Sequence, residues 1–194
     1  ELLIEIKVEG AQKRNLLHDV SNLMQVKDAL HHMNEDTLTI KEFGARELAD
    51  FCNDHLDPEE MRFRLPGEDW RAISELPMLH ETKWIDKLIA ERRVRMYFQP
   101  IVDSEERIYA YEALARFMDE DGSLLYPNIV FPAAKTRGRL YALDRLCRMK
   151  AVEEAAPLRA KTFINFIPTS IYSPEFCLKS TIELAAKLNV DPSL

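Results

Sequence analysis

Apolar residues recur along this chain with two different periods, and the switches between them lay out its elements. Glu1 to Val8 alternates as a short strand, closed by Gly10. From Gln12 to Met33, apolar residues fall at Leu16, Leu17, Val20, Leu23, Met24, Val26, Leu30 and Met33. That spacing of threes and fours predicts one helix, stopped by Asn34-Glu35-Asp36. Thr37 to Phe43 predicts a second strand and Ala45 to Asn53 a second helix. Asp57-Pro58 reads as a helix start, Met61 to Leu65 as a short strand or the tail of a turn, and Pro66-Gly67 as a break. Glu68 to Ala90 reads as two short helices split by Pro77.

The pattern then changes. Val94 to Val102 predicts a strand, Asp103 to Glu106 a turn, and Arg107 to Phe117 another strand. After the loop MDEDG come two helices, Pro127 to Lys135 and Leu140 to Ala156, the second with Leu140, Leu143, Leu146, Met149 and Val152 on one stripe. Thr162 to Ile167 is nearly all apolar, which predicts a strand buried on both sides. Ser173-Pro174-Glu175 opens a last helix, which Asn189-Val190-Asp191-Pro192 stops. Residues 1–80 therefore read as a small α+β or helical module. Residues 81–194 read as an α/β unit, with strands and helices in alternation.

Composition narrows the function classes. A net charge of -7 argues against nonspecific binding of a nucleic-acid polymer, which requires a basic face. Cys52, Cys147 and Cys177 are far apart and odd in number, so neither a disulfide framework nor a CxxC metal site is expected. No apolar run is long enough to span a bilayer, and no signal peptide is evident. A cytoplasmic protein with reduced thiols is the resulting expectation. The chain starts at Glu1 rather than Met and ends just after a helix and turn, which reads as a piece of a longer protein.

Polar residues inside the predicted strands are the candidate chemistry. In RIYAYEALARF, Ile108, Ala110, Glu112, Leu114 and Arg116 share one face, because strand side chains alternate. A carboxylate and a guanidinium on that face suit a metal ion and a phosphate, although a salt-bridged surface strand would show the same residues. Gln99 lies near the end of its own strand, on the face of Arg95 and Tyr97. Asn165 is the one polar side chain in the middle of its apolar run, and a buried amide needs a backbone or ligand partner. In α/β barrels functional side chains sit at the C-terminal ends of strands, where all three of these polar groups fall. Elsewhere, His18-Asp19 resembles the start of the phosphoacceptor box of sensor-kinase dimerisation helices. A polar face on an amphipathic helix explains the same pair more simply. His31-His32 is expected at the end of that helix.

Three features taken together carry a family resemblance. They are FQPIV, then Glu112-Ala113-Leu114 with Glu112 thirteen residues after Gln99, then the lone Asn165 in FINFIP. From about Trp84 to Leu194 the chain resembles the first part of an EAL domain. That family comprises bacterial phosphodiesterases that cut cyclic di-GMP to linear pGpG, and inactive relatives that only bind it. The resemblance implies a truncated TIM-like barrel of the EAL type behind an N-terminal regulatory or dimerisation module. It implies Glu112 and Asn165 as ligands of a catalytic Mg²⁺ or Mn²⁺, and Gln99, Leu114 and Arg116 as contacts to cyclic di-GMP. The further acidic ligands, a general-base Lys and a loop-ordering Glu would follow Leu194. Metal-dependent hydrolysis is the leading expectation for the intact protein; a cyclic di-GMP receptor or interaction scaffold is the alternative. A homodimer is a further expectation, with the long first helix as one contributor.

Overall fold

The computed structural model describes residues 2–9, 13–55, 57–168 and 173–191. The chain divides into two compact units, Glu1–Lys83 and Trp84–Leu194.

The first unit runs β1 (Leu3–Val8), α1 (Lys13–Val26), β2 (Leu30–Met33), β3 (Thr37–Lys41), α2 (Ala45–His55), β4 (Met61–Arg64), β5 (Arg71–Ala72) and α3 (Leu76–Glu81). Its strands form one antiparallel sheet in the order β2-β3-β1-β4-β5. The βαββαβ sequence with this order is a ferredoxin-like arrangement, extended by β5 at one edge. Strand alternation puts Ile4, Ile6 and Val8 on one face, directly opposite Ile40, Leu38 and Met61 in neighbouring strands. Leu17, Val20 and Met24 of α1 and Leu48, Ala49 and Cys52 of α2 complete this buried core.

Several expectations for this unit are corrected. The helix expected over 12–33 stops at Val26, and Leu30–Met33 is a strand (Gln12 lies outside the described residues). Asp28 adopts a left-handed φ of 55°. The N–H of Asp28 donates to the Gln25 carbonyl and that of Ala29 to the Met24 carbonyl, which closes the helix and turns the chain into β2. His31 and His32 are consequently exposed strand residues, and His32 bonds to Asn34 at 2.7 Å. The apolar spacing continued by coincidence across the turn. Likewise, Pro77 does not split two helices. It sits in the first turn of α3, where the missing N–H costs nothing, and the break comes after Glu81. Asp57-Pro58 opens only a 3₁₀ turn, with Asp57 accepting from the Glu59 N–H at 3.0 Å.

The second unit runs α4 (Trp84–Ala90), β6 (Val94–Val102), β7 (Ile108–Met118), β8 (Leu124–Leu125), α5 (Pro127–Thr136), α6 (Leu140–Ala155), β9 (Thr162–Ile164) and α7 (Pro174–Lys187). The strands β6 and β7 form a long antiparallel hairpin, and β8 adds to β7. Strand β9 returns through α5 and α6 to pair with β7 in parallel. The hairpin turn is fixed by Asp103, whose carboxylate accepts from the Glu105 and Arg107 N–H groups at 2.8 and 3.0 Å. On one face of the sheet, Val94, Met96, Ala113 and Phe117 pack against Ile85 and Leu88 of α4, Val130 and Ala134 of α5, and Leu143 and Leu146 of α6. No helix among the described residues is long and apolar enough to cross a membrane.

The strand expected over Thr162 to Ile167 is shorter and only half covered. β9 ends at Ile164, and Phe163 and Phe166 are 48% and 50% exposed. The reason is the pleat. Phe163 lies level with Glu112 in the parallel pair, so it shares the face of the sheet away from the helices, whereas Ile164 turns inward beside Ala113.

Candidate functional site

Register builds the site. In the β6–β7 hairpin, Gln99 lies directly opposite Glu112, Tyr97 opposite Leu114, and Arg95 opposite Arg116. The alternate residues Val94, Met96, Phe98, Ala113, Ala115 and Phe117 belong to the helix-facing core. The polar row therefore occupies the face left uncovered by α4, α5 and α6. Alternation predicts that Glu112, Leu114 and Arg116 share a face, and the hairpin register adds Gln99 to it.

Asn165 joins them from the next strand. It is exposed, immediately past the C-terminal end of β9 and two residues after Phe163, so the alternation carries its side chain to the Glu112 face. Its Nδ2 donates to Glu112 Oε1 at 2.7 Å. The amide is thus satisfied by the carboxylate rather than by backbone.

The pair fits a small divalent cation. Adjacent oxygens bound at about 2.1 Å to one octahedral Mg²⁺ lie about 3 Å apart. The Glu112 carboxylate and the Asn165 amide already stand at that separation, and a half-turn of the amide presents Oδ1 in place of Nδ2. Both donors are hard oxygens, as Mg²⁺ and Mn²⁺ prefer. Two protein ligands leave positions for water and phosphate oxygens, the usual pattern for Mg²⁺. Among the described residues no group of three His, Cys, Asp or Glu is placed to hold a metal ion.

Arg116 is half-buried and held in two ways. Its guanidinium stacks over the Tyr97 ring, 5.3 Å from the centroid, and Nη1 donates to the Ala115 carbonyl at 2.8 Å. Among the described residues its other N–H groups have no hydrogen-bond partner, which leaves them available to a phosphate oxygen.

A support for the site escaped the sequence reading. Asp144 and Arg148 of α6 are 2% and 1% exposed. Asp144 Oδ1 accepts from the Ile167 N–H at 2.8 Å, and Oδ2 accepts from Arg148 Nε at 2.9 Å. Arg148 Nη1 donates to the Cys177 carbonyl at 3.0 Å and to Thr181 Oγ1 at 2.7 Å. One buried ion pair thus ties α6 to α7 and fixes the loop that carries Asn165. The available signal was an Asp and an Arg one helical turn apart, embedded among the stripe residues Leu143 and Leu146. Behind the sheet, Ala113, Ala115, Ile164, Phe131, Cys147 and Asp144 line a pocket of roughly 220 Å³. Leu114, Arg116 and Asn165 also contribute to its lining, so the pocket adjoins the site residues. Burial and the nearby Asp144 charge push the Cys147 thiol up to about 12.

His18 is exposed on α1 and bonds to Asn22 at 3.0 Å, and α1 packs on β1, β2 and β3 as a sheet-covering helix. Among the described residues that amide is the one side-chain partner of His18.

A protein-family model described as EAL domain matches residues 82–194. No curated protein sequence matches significantly. Among solved structures, the EAL enzyme Bd1971 in its cAMP-bound form superposes with a TM-score of 0.51 at 16% identity, covering 61% of this chain and 36% of that one. The FimX EAL domain of Xanthomonas citri, solved in complex with c-diGMP, gives a TM-score of 0.51 at 16% identity, covering 60% of this chain and 47% of that one. This chain spans less than half the length of either.

Proposed function

Because this chain belongs to the EAL domain family over residues 82–194, we propose that it forms one wall of a cyclic di-GMP site, in a bacterial signalling protein that hydrolyses cyclic di-GMP to pGpG. The observation that carries the reading is the 2.7 Å contact between Glu112, in the middle of β7, and Asn165, just past the end of the parallel strand β9. The mixed sheet and its parallel pair are read as the first strands of a TIM-like barrel of the EAL type. That the FimX domain is solved with c-diGMP supports the ligand class.

In this reading Glu112 and Asn165 hold a Mg²⁺ or Mn²⁺ ion. When bound, such an ion supplies Lewis-acid stabilisation of developing phosphate charge and lowers the pKa of water. The Glu112 carboxylate is held in place by the amide of Asn165. Gln99, opposite Glu112, offers a carbonyl and an amide to the dinucleotide. Leu114 presents an apolar surface beside Tyr97 to a base or ribose. Arg116 pairs with a phosphate oxygen. In this reading the Glu112 carboxylate serves as a metal ligand rather than a nucleophile, and displacement by water without a covalent intermediate is the matching chemistry. The family resemblance implies a general-base Lys and further acidic ligands in addition to these residues. The 194-residue chain alone is therefore expected to be inactive. Residues 1–80 are read as a regulatory or dimerising module; a monomer at high concentration by light scattering counts against dimerisation.

The test is hydrolysis of cyclic di-GMP by the intact protein with Mg²⁺ or Mn²⁺, followed as release of pGpG. Turnover that disappears in Glu112→Gln supports the reading. Tight binding without turnover converts the site into a receptor, and neither binding nor turnover overturns the proposal.

A further inference from the structure

The open face of the hairpin carries a feature that folding alone disfavours. Arg95 and Arg116 are directly opposite one another on antiparallel strands. Side chains so placed have Cβ atoms about 5 Å apart, and like charges there are destabilising. No carboxylate relieves the pair. On that face of β6 and β7 the nearest one is Glu112, four residues from Arg116, or about 13 Å along the strand. Arg95 is exposed, and among the described residues its side chain has no ion pair, hydrogen bond or ring contact. Arg92, Arg93, Arg107, Arg137, Arg139 and Arg148 of the same unit each have a carboxylate within 4 Å, and Arg145 and Arg159, like Arg95, have none among the described residues, but neither lies opposite a second arginine in the hairpin.

Three successive rows of the hairpin then differ in chemistry. The first pairs Gln99 with Glu112, the second Tyr97 with Leu114, and the third Arg95 with Arg116. Arg116 leans over Tyr97, back toward the Glu112 row, which brings its guanidinium nearer the candidate cation site. A ligand lying along these rows meets a metal-binding end, an aromatic and aliphatic middle, and a doubly cationic end. A cyclic dinucleotide offers two phosphates on one ring, with planar bases between and beside them. Two guanidinium forks converging on one phosphate make charge-assisted, partly bidentate hydrogen bonds, and the anion removes the repulsion between them.

We propose that Arg95 is a second phosphate-binding residue. With Arg116 it forms a two-guanidinium clamp for the phosphate of the cyclic dinucleotide that is not being cut, and Tyr97 is the platform that orients the clamp. This rests on the cyclic di-GMP reading above, and it adds a specificity element: a ligand with one phosphate loses the clamp contact.

The experiment is calorimetric titration of the intact protein with cyclic di-GMP in EDTA, where no turnover competes. Arg95→Ala and Arg95→Glu are expected to weaken binding about tenfold or more, as for loss of a hydrogen bond to a charged group, with Arg95→Lys falling between. The salt dependence of binding should become shallower in Arg95→Ala. Both variants should melt at or above the wild-type temperature, because one of two opposed charges is gone; a merely structural Arg95 would lower it instead. Wild-type affinity in both Arg95→Ala and Arg95→Glu overturns the clamp. If the wild type binds no cyclic di-GMP, the reading of the preceding section fails, and the clamp is decided separately by NMR. Titrating inorganic phosphate should move the Nε–Hε signals of Arg95 and Arg116 together, and the Arg116 shift should vanish in Arg95→Ala. Independent or absent shifts overturn it.

Discussion

The two units solve the same structural problem and end with opposite surfaces. Each lays helices on one face of a sheet and leaves the other face open. In the first unit the open face is closed electrostatically. Arg64 pairs with Glu5 at 2.6 Å, Lys7 with Glu9 at 2.7 Å, and Lys41 with Asp28 at 3.5 Å. Arg64 and Lys7 also lie over the Trp70 ring. In the second unit the open face keeps its groups available. Glu112 meets only an amide, Arg116 only a ring and a carbonyl, and Arg95 no charged partner among the described residues. Charged residues on a sheet face thus do not by themselves mark a site. The mark is that they lack neutralising partners and still occupy fixed positions.

The comparison can be broken first at its supports. Asp144→Ala removes one partner of a buried ion pair and is expected to cost about 3–5 kcal/mol of stability. In a urea melt the loss should appear in the transition of residues 84–194. Gly44→Ala is the matching probe for the first unit. A Cβ at Gly44 would lie 2.5 Å from the Ala29 Cβ, which predicts about 1–3 kcal/mol of overpacking strain confined to residues 1–83. If either substitution melts both units equally, the two are one cooperative body and the division is wrong.

The chemical contrast is sharpened next. Replacing a metal-site partner typically costs 10–100-fold in affinity or activity, and replacing a ligand should exceed that. Glu112→Gln should therefore lower turnover by more than about 100-fold. Glu5→Gln, on the paired face, should leave turnover unchanged and cost at most about 1 kcal/mol. Equal kinetic effects would erase the distinction between the faces.

Smaller effects follow from titration. Burial pulls the Asp86 carboxyl up, but hydrogen bonds and charge from Arg137 and Arg139 outweigh it, and its pKa falls below the ordinary carboxylate value. A depressed carboxylate contributes stability that is present above its unfolded pKa and lost as pH falls through the folded one. The second unit should accordingly lose stability on acidification below about pH 4, and Asp86→Asn should flatten that limb. Last, burial holds the Cys52 and Cys147 thiols up at about 12, so native protein at pH 8 should react slowly with thiol reagents at both positions.

Much of the second unit is legible in its sequence, because period-two alternation and FQPIV-to-EAL spacing fix both the strands and their faces. Glu112, Leu114 and Arg116 fall together for that reason alone, whereas Gln99 joins them only through the antiparallel register of the hairpin. What does not show is whatever depends on partners distant in sequence. The apolar run around Asn165 reads as doubly buried, yet β9 turns Phe163 to the open face. The Asp144–Arg148 support needs α6, α7 and the β9 loop in place before it has meaning. In the first unit the helix period runs past Val26 by chance, and only the left-handed Asp28 ends it, so a strand is hidden within a helical pattern.

Binding of Mn²⁺ to the protein, followed by the loss of its free-ion electron paramagnetic signal, tests the central claim without relying on turnover. The account predicts one saturable site in the wild type, weakened about tenfold or more in Asn165→Ala and by more than about 100-fold in Glu112→Gln. Wild-type Mn²⁺ affinity in the Glu112→Gln, Asn165→Ala double variant would contradict it.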